Sequence, residues 1–159
     1  MENREILTEL KDHFPGLILE ASSPLGDLTA VIEKSGLLEI AGFLRAEPRG
    51  YGLLLDLTCV DFRGEEPRFE MVYHFYSLTR RSRLRIKART GEEDAWVDSL
   101  TPLWKNAAWL EREVFDMFGI RFKGHPDLRR ILMYEGFDGH PLRKDYPLRR
   151  RQPRVPVRE

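Results

Sequence analysis

Cysteine is almost absent from this sequence. Cys59 is the single cysteine among 159 residues, and one cysteine can form neither an internal disulfide nor the ligand set of an iron–sulfur cluster or a cysteine zinc site. A reducing, cytoplasmic setting is therefore expected. Because Cys59 alternates with Leu55 and Leu57 along a predicted strand, we expect its thiol to be a buried structural group.

Long apolar runs and nucleotide-binding loops are also lacking. No stretch approaches the ~20 continuous apolar residues that a membrane-spanning helix needs, and the first five residues carry no apolar leader. The sequence contains no G-x-G-x-x-G, G-K-S/T or G-x-S-x-G pattern. We therefore expect this chain to have no membrane span and none of the usual means of binding a nucleotide or a flavin.

Apolar residues make up 42% of the chain, which is enough to form a core. Charged residues are unevenly distributed along the sequence. The formal net charge is zero. From residue 121 to 159, however, there are eleven Lys and Arg against five Asp and Glu, which leaves +6 there and −6 in residues 1–120. A basic tail on an acidic body predicts a negatively charged partner for the tail, which could be a protein, nucleic acid or anionic lipid.

Alternating apolar residues predict an antiparallel sheet in the middle of the chain. Three successive segments place apolar residues at every second position, with turns between them. The residues expected on the buried face are Leu53, Leu55, Leu57 and Cys59, then Phe69, Met71, Tyr73 and Phe75, then Leu84, Ile86 and Ala88. A further strand is predicted at 28–33, and helical spacing predicts helices at 6–14 and 37–44, the second capped by Ser35.

A longer helix is predicted from residue 107 to 118. Asn106 can cap its start and Gly119 can end it, and a short helical piece is expected before it at Thr101-Pro102. Its apolar stripe consists of Leu110, Val114, Met117 and Phe118. Arg112 and Asp116 are four residues apart on this helix, so they can pair.

Recurrent proline and glycine predict an extended arm after Gly119. Five prolines between residues 126 and 156 argue against a helix or a central strand, yet aromatic and aliphatic residues are more frequent than in disordered tails. We therefore divide the chain into an α/β domain at 1–119 and an extended basic docking arm at 120–159. The predicted fold class is α/β (α+β), a mainly antiparallel sheet with helices packed on one face, followed by the irregular arm.

No group of residues in the sequence predicts catalysis or a metal site. His125 and His140 each precede a proline, but no cysteine or suitably spaced carboxylate accompanies either of them. Glu113 and Asp116 share a helix face, for which a solvated or salt-bridged surface is the simpler interpretation. A basic stripe on the third predicted strand could bind nucleic acid, although exposed stacking aromatics are few. This stripe consists of Arg83, Arg85, Lys87 and Arg89.

The stretch from Trp109 to Pro147 resembles a known family. It contains WLEREVFDMFGI, GHPDLRRILM and GHPLRKDYP in this order, and the upstream strings LDLTCVDF, YHFYSL and RLRIK resemble the same family. Together they cover residues 53–147. These strings are similar to those of the C subunit of proton-pumping NADH:quinone oxidoreductase, respiratory complex I.

The resemblance implies a cofactor-free structural subunit in the hydrophilic arm of that complex. Such a chain has no catalytic, cofactor or metal site of its own and takes part in enzyme activity only within the complex. NADH, FMN, iron–sulfur clusters and quinone are expected on partner subunits, chiefly the quinone-site subunit and the neighbouring cluster-bearing subunits. The implied location is the cytoplasmic side of the inner membrane, with indirect membrane contact and no nucleic acid.

On this interpretation the arm docks the chain onto its partner, and prolines that hold it extended lower the entropy lost on binding. The candidate docking residues are Glu111, Arg112, Glu113, Asp116, His125, Arg129, Arg130, His140, Arg143, Lys144 and Asp145. The terminal arginines at 149–151 could reach anionic headgroups or an acidic groove.

The sequence is also compatible with other functions. A membrane-bound hydrogenase or another quinone reductase could use an equivalent subunit, because the electron-donor site lies on a different chain. A nucleic-acid-binding domain would use the basic tail, and the isolated chain would then bind RNA or DNA in a salt-sensitive way. A small enzyme in its own right has no support in the sequence.

Overall fold

The fold is that of a computed structural model, which describes residues 5–153. Residues 1–4 and 154–159, which include the end of the predicted arm, lie outside the described residues. The elements are α1 (Glu5–His13), β1 (Ile18–Ser22), β2 (Leu28–Ile32), α2 (Leu37–Arg45), β3 (Leu53–Asp61), β4 (Phe69–Ser77), β5 (Ser82–Thr90), β6 (Trp96–Asp98), α3 (Ala107–Phe118) and β7 (Arg121–Lys123). From residue 124 to 153 the chain forms turns and extended segments without a helix or strand.

Five strands form one mixed sheet in the order β1-β2-β5-β4-β3. β3, β4 and β5 are an antiparallel meander, β1 and β2 are antiparallel, and β2 runs parallel to β5. β6 and β7 form a separate parallel pair. The predicted fold class is confirmed, although the sequence pattern does not reveal β1, β6 and β7, which are only five, three and three residues long.

One face of the sheet is apolar because apolar residues alternate along its strands. The predicted core residues of β4 and β5 are all buried, as are three on β2. These residues are Phe69, Met71, Tyr73, Phe75, Leu84, Ile86, Ala88, Leu28, Ala30 and Ile32. The buried stripes of α1, α2 and α3 belong to the same core cluster, and each fully buried Leu-sized side chain contributes about 1.5–3 kcal/mol.

A β-bulge alters the buried face of β3. Between Leu54 and Asp56 the register against β4 shifts by one residue, so side chains before and after the bulge do not share one alternation. Leu53 and Leu55 are exposed while Leu54 is buried, so the prediction that they line the core is wrong. The prediction for Leu57 and Cys59 is confirmed, and burial raises the pKa of the Cys59 thiol to about 12.

The predicted bounds of the helices agree with the structure better than the predicted capping residues do. α3 spans the predicted residues and ends at Gly119 in the left-handed conformation. The N-cap of α2 is Gly36 rather than Ser35, and no side chain caps it. The Asn106 amide donates to the Leu54 carbonyl at 2.8 Å instead of capping α3, which ties α3 to β3. Thr101-Pro102 lies in a turn rather than a helix.

The three helices are short, at nine, nine and twelve residues. Among residues 5–153, no helix is both long enough and apolar enough to cross a bilayer.

Candidate functional site: the arm against helix α3

The arm supplies hydrogen-bond donors to the C-terminal end of α3. The last four carbonyl groups of an α-helix have no partner within the helix. In α3 they accept, in order, from Gly119 N–H at 2.9 Å, His140 Nδ1 at 2.9 Å, Leu142 N–H at 3.1 Å and Arg143 Nε at 2.6 Å. Three of these four donors belong to the Gly-His-Pro-Leu-Arg segment, so the arm completes the helix end.

Gly119 allows the arm to approach the helix this closely. Its φ of 79° favours glycine. A Cβ at this position would also lie 2.6 Å from His140 Nε2 and 2.9 Å from Arg143 Nη2. Both the backbone conformation and the neighbouring side chains therefore disfavour a larger residue.

The carboxylate of Asp116 binds the arm at a second place and is fully buried. Its Oδ2 accepts from the backbone N–H groups of Ile131, Leu132 and Met133 at 3.0, 2.8 and 2.8 Å, and its Oδ1 accepts from Arg130 Nη1 at 2.6 Å. Burial alone raises the pKa of Asp116, but these hydrogen bonds outweigh burial and hold the pKa below its ordinary value. Asp116 is thus a fixed anion around which the irregular chain is ordered.

A buried arginine joins the arm to the ends of β3 and β4. Arg68 donates to both carboxylate oxygens of Asp61 at 2.9 and 2.8 Å and to both of Asp145 at 3.1 and 2.8 Å. Asp61 also accepts the backbone N–H of Lys144 at 2.8 Å. Hydrogen bonds from Arg68 are the largest cause of the lowered pKa of Asp61 and of Asp145. Glu92 lies 2.8 Å from Arg68 and completes this ion cluster.

Glu111 is a third buried carboxyl group, also on α3. It accepts from Ser99 Oγ at 2.6 Å and from the Leu100 N–H at 2.7 Å. Burial raises the pKa of Glu111 to about 7, and these two hydrogen bonds oppose the increase. The Glu111 carboxyl therefore titrates near neutral pH, unlike the carboxyl of Asp116 on the same helix.

Each Gly-His-Pro triplet places its histidine against a backbone carbonyl of α3, at opposite ends of the helix. His125 Nε2 donates to the Ala108 carbonyl at 3.0 Å, and His140 Nδ1 donates to the Asp116 carbonyl at 2.9 Å. His125 Nδ1 accepts from the Asp127 N–H at 3.0 Å, so Nε2 is the ring nitrogen that donates to Ala108. Both histidines therefore bind carbonyls of α3. Within residues 5–153, no group of three or more His, Cys, Asp or Glu side chains is placed to hold a metal ion.

Most of the candidate docking side chains bond within the chain. They are Glu111, Arg112, Asp116, His125, Arg130, His140, Arg143 and Asp145. Arg112 donates to the carbonyls of Arg129 and Arg130 at 3.1 and 2.9 Å. The pair with Asp116 that the spacing allows does not form, and Asp116 pairs with Arg130 instead. Arg129 pairs with Asp127 at the surface, and Glu113 and Lys144 are exposed. The docking role of these eleven residues stays a prediction.

Apolar side chains of the arm point to solvent. Leu132 is 56% exposed, Leu142 53% and Leu148 99%, and Trp109 on α3 is 62% exposed. The backbone N–H groups of Leu132 and Leu142 are bonded to α3, so these two side chains are displayed on an ordered segment. The arm and α3 also enclose a cavity of about 440 Å³, lined by Phe115, Leu128, Arg129, Arg130, Met133 and Glu135.

Comparisons with known proteins identify the family. Residues 30–152 match the family described as respiratory-chain NADH dehydrogenase, 30 Kd subunit. The chain belongs to this family. Relatives named as the C subunit of NADH-quinone oxidoreductase include that of Citrifermentans bemidjiense, 46% identical over 147 residues (92% of this chain and 91% of the relative). Another, from Roseiflexus sp., is 46% identical over 149 residues (93% and 86%).

Solved structures agree with this family. A trypsin-resistant fragment of Nqo5 matches with a TM-score of 0.70 and 31% identity, covering 80% of this chain and 100% of the fragment. A chain of the membrane-bound sulfane sulfur reductase, an archaeal respiratory membrane complex, matches with a TM-score of 0.75 at 21% identity, covering 93% and 87%. The second likeness concerns the fold alone. The predicted resemblance to the C subunit of complex I is confirmed.

Three residues of the site are not predicted from the sequence. Asp61 alternates in phase with Leu57 and Cys59, which is a signal for a carboxylate in the core that needs a cation. Arg68, the cation that it binds, follows a loop at 62–67 and has no signal in the pattern. Ser99 likewise lies in an irregular segment, and only the structure shows its bond to Glu111.

Proposed function

We propose that this chain is a cofactor-free structural subunit in the hydrophilic arm of a proton-translocating NADH:quinone oxidoreductase. Its arm docks onto the quinone-site subunit, and its other neighbours are the cluster-bearing subunits. NADH, FMN, iron–sulfur clusters and quinone belong to those partners. The chain sits peripherally on the cytoplasmic side of the inner membrane and contacts the membrane only through them. Membership of the 30 Kd subunit family supports this proposal.

The observation that carries the docking role is the orientation of the arm's side chains. Its polar groups bond inward to α3, Asp61 and Arg68, whereas Leu132, Leu142 and others face outward. A chain on its own gains nothing by holding leucines in water on a fixed segment, and exposed apolar groups of this kind are typical of protein–protein interfaces. The leucine side chains therefore meet a partner whose surface is apolar at the same place.

The fixed conformation of the arm also affects its affinity for the partner. A segment that is already fixed by Asp116 and by the carbonyls of α3 loses less conformational entropy on binding than a free peptide does. Docking by the displayed leucines thus depends on the internal polar contacts that order the arm.

The test compares two double variants of the tagged chain in its native cell. Leu142→Asp/Leu148→Asp changes two exposed leucines of the arm. Leu19→Asp/Leu25→Asp changes two comparably exposed leucines of the body, Leu19 in β1 and Leu25 in the turn after it, which are 59% and 106% exposed. Membranes are solubilised gently, and the tagged chain is recovered and run on a native gel stained for NADH dehydrogenase activity. Circular dichroism and thermal unfolding of the purified chains establish that both variants fold.

The wild-type chain and the Leu19/Leu25 variant are expected in a large assembly that stains for NADH dehydrogenase, and the Leu142/Leu148 variant in the unassembled fraction. Incorporation of the Leu142/Leu148 variant at the wild-type level would contradict docking by the arm. A large assembly without NADH dehydrogenase activity would contradict the proposed complex, and recovery of the wild-type chain as a small species would contradict the subunit role itself.

A further inference from the structure

The second face of the five-stranded sheet carries a small polar cavity. Leu28, Ala30 and Ile32 face the core from β2, so Thr29 and Val31 face the other way. On β5 the basic stripe shares this second face, since it alternates with Leu84, Ile86 and Ala88. The cavity measures about 340 Å³ and is lined by Glu20, Ser22, Pro24, Thr29, Val31, Glu70, Arg85, Lys87 and Arg89. It uses none of the contacts that hold the arm.

Strand register brings two hydroxyl groups and a guanidinium into one row across this face. Ser22 on β1 pairs with Thr29 on β2, and Thr29 pairs with Arg85 on β5. Neighbouring strands lie about 4.8 Å apart, so one small ligand can reach all three side chains. Two hydroxyl donors beside an arginine are the donor set expected for an oxyanion.

The charges around the cavity leave Arg85 available to bind a ligand. The Glu70 carboxylate is held by Lys87 at 2.7 Å and by Arg89 at 3.2 Å. Among the described residues, the one carboxylate within salt-bridge range of Arg85 is Asp27, at a long 3.9 Å and with a largely exposed side chain. The lining residues include three cations against the two carboxylates of Glu20 and Glu70. Arg89 also pairs with Glu65 at 3.4 Å, so Glu70 and Glu65 together compensate Lys87 and Arg89, and Arg85 is the cation left for a ligand.

The hydroxyl of Thr29 provides an independent indication. Thr29 is buried, and within residues 5–153 its Oγ1 has no hydrogen-bond partner. Buried polar groups in folded proteins are nearly always bonded to protein, water or a ligand, because an unpartnered group loses the hydrogen bonds that it makes to water in the unfolded chain. An oxyanion beside Arg85 would accept from this hydroxyl.

We propose that Ser22, Thr29 and Arg85 form a binding site for one oxyanion, a phosphate or a carboxylate group, on the second face of the sheet. Arg85 supplies the charge and a planar pair of donors, and the two hydroxyl groups supply directional donors on one side. Glu70 and Glu65 compensate the charges of Lys87 and Arg89, so Arg85 is the charged donor at this site. This site is independent of docking by the arm.

The test titrates the full-length isolated chain with sodium phosphate and, separately, with sodium acetate. Ionic strength is held constant with sodium chloride so that general screening does not change. Two-dimensional NMR follows the amide signals of Ser22 and Thr29 and the Arg85 side-chain N–H. Saturable shifts at these three positions are expected with at least one of the two anions. Shifts with phosphate alone identify a phosphoryl ligand, and shifts with acetate alone identify a carboxylate.

Three variants make the test specific. Arg85→Gln is expected to weaken binding about tenfold or more, since it removes the charged donor. Thr29→Val should weaken binding while leaving the unliganded chain at least as stable as wild type, because it removes an unpartnered hydroxyl without changing the side-chain volume much. Arg83→Gln removes a basic residue from the same face of β5 that does not line the cavity, and is expected to bind as wild type does.

Linear, unsaturable shifts with both anions would overturn the proposal. Equal weakening by Arg83→Gln and Arg85→Gln would also overturn it, because the effect would then come from the charge of the whole stripe. The wild-type titration decides between these outcomes even if one variant fails to fold. Loss of assembly in the leucine variants would leave the oxyanion site unaffected, so the two proposals fail separately.

Discussion

The α/β body and the arm are stabilised by different interactions. The body and the first residues of the arm bury their apolar side chains in one cluster, which extends from Ile6 on α1 to Phe122 on β7. Among the described residues after β7, only Leu128 and Met133 pack against that cluster, and both are partly exposed. The arm is instead attached through Asp116, through the ion cluster around Arg68, and through hydrogen bonds to the end of α3.

These two kinds of attachment respond differently to substitution. An apolar core tolerates exchange between side chains of similar volume, usually for less than about 1.5 kcal/mol. A buried ion needs each of its partners, and loss of one leaves another charge unpaired, at a cost of about 3–5 kcal/mol. We therefore expect the arm to depend on a few irreplaceable residues and the body to depend on many replaceable ones.

The largest effect is expected for Asp116→Ala. This change removes the acceptor of three backbone N–H groups and leaves Arg130 without its carboxylate. The free energy for opening the arm should fall by about 4 kcal/mol. Hydrogen exchange at the Leu142 amide, which bonds to Met117 and not to Asp116, should accelerate roughly a thousandfold if the arm opens as one unit.

Glu113→Ala is the control for this change. Glu113 lies on the same helix and is exposed, so its removal should alter stability by no more than about 0.5 kcal/mol. Unchanged exchange at Leu142 in the Asp116→Ala chain would show that the two ends of the arm are held independently.

The second effect concerns Glu111 and pH. Its pKa is about 7 in the folded chain against an ordinary value of 4.5, so the folded state binds the proton more tightly than the unfolded state does. This contribution to stability is fully present below pH 4.5 and is lost as the pH rises through 7. The loss is on the order of 3 kcal/mol, and urea unfolding at about pH 5 and about pH 8 measures it.

Glu111→Gln should remove this decrease, because the amide has no proton to lose. The pKa values of His74 and His140 are lowered, chiefly by burial, so they give the opposite slope, in which stability rises with pH towards their ordinary value of 6.5. Both histidines are present in both chains, and their contributions cancel in the difference. A Glu111→Gln chain with the same pH dependence as wild type would mean that Glu111 does not titrate in this interval.

The body is more predictable from the sequence than the arm for a physical reason. Periodicity reports burial of one face, so it predicts the meander and the bounds of α3, and the glycine after the last periodic residue predicts where that helix ends. The exception is β3, where a bulge moves Leu53 and Leu55 to the surface. A single inserted residue moves the side chains on one side of it to the opposite face of the sheet. Three consecutive leucines at 53–55 give no indication of where such a residue is inserted.

The arm lacks periodicity, so its contacts cannot be assigned without the structure. Residue type alone suggests that Arg130, Arg143 and Asp145 pair with something of opposite charge. It cannot distinguish a partner subunit from Asp116, Glu92 or Arg68 of the same chain. The repeated Gly-His-Pro triplet is visible, but its use as a donor to α3 carbonyls follows only from the path of the chain in space.

Alanine substitution at two glycines, Gly119 and Gly42, is expected to change stability in opposite directions. Gly119→Ala should destabilise the chain by about 2 kcal/mol, because φ is positive and the new Cβ would meet His140. Gly42→Ala in α2 should stabilise it by about 0.5–1 kcal/mol, since no atom lies within 4 Å of the new Cβ and alanine favours the helix. Urea unfolding of both variants gives the two signs. Equal effects would contradict the close approach of the arm at Gly119.

The smallest effect is expected for Asp145→Asn. Asp145 bonds to Arg68 through both oxygens, but its side chain is about two-fifths exposed and Asp61 and Glu92 still balance the arginine. Solvent screening limits the stabilisation that such an exposed ion pair provides. We therefore expect the free energy of unfolding to fall by about 1 kcal/mol, and urea unfolding measures this loss.

Asp127→Asn is the matched control, since Asp127 pairs with Arg129 at an exposed site of the same arm and should change stability by less than about 0.5 kcal/mol. A loss at Asp145 that is no larger than at Asp127 would place the attachment of the arm at α3 alone. A loss near that of Asp116→Ala would instead mean that the Arg68 cluster and the end of α3 hold the arm as a single cooperative unit.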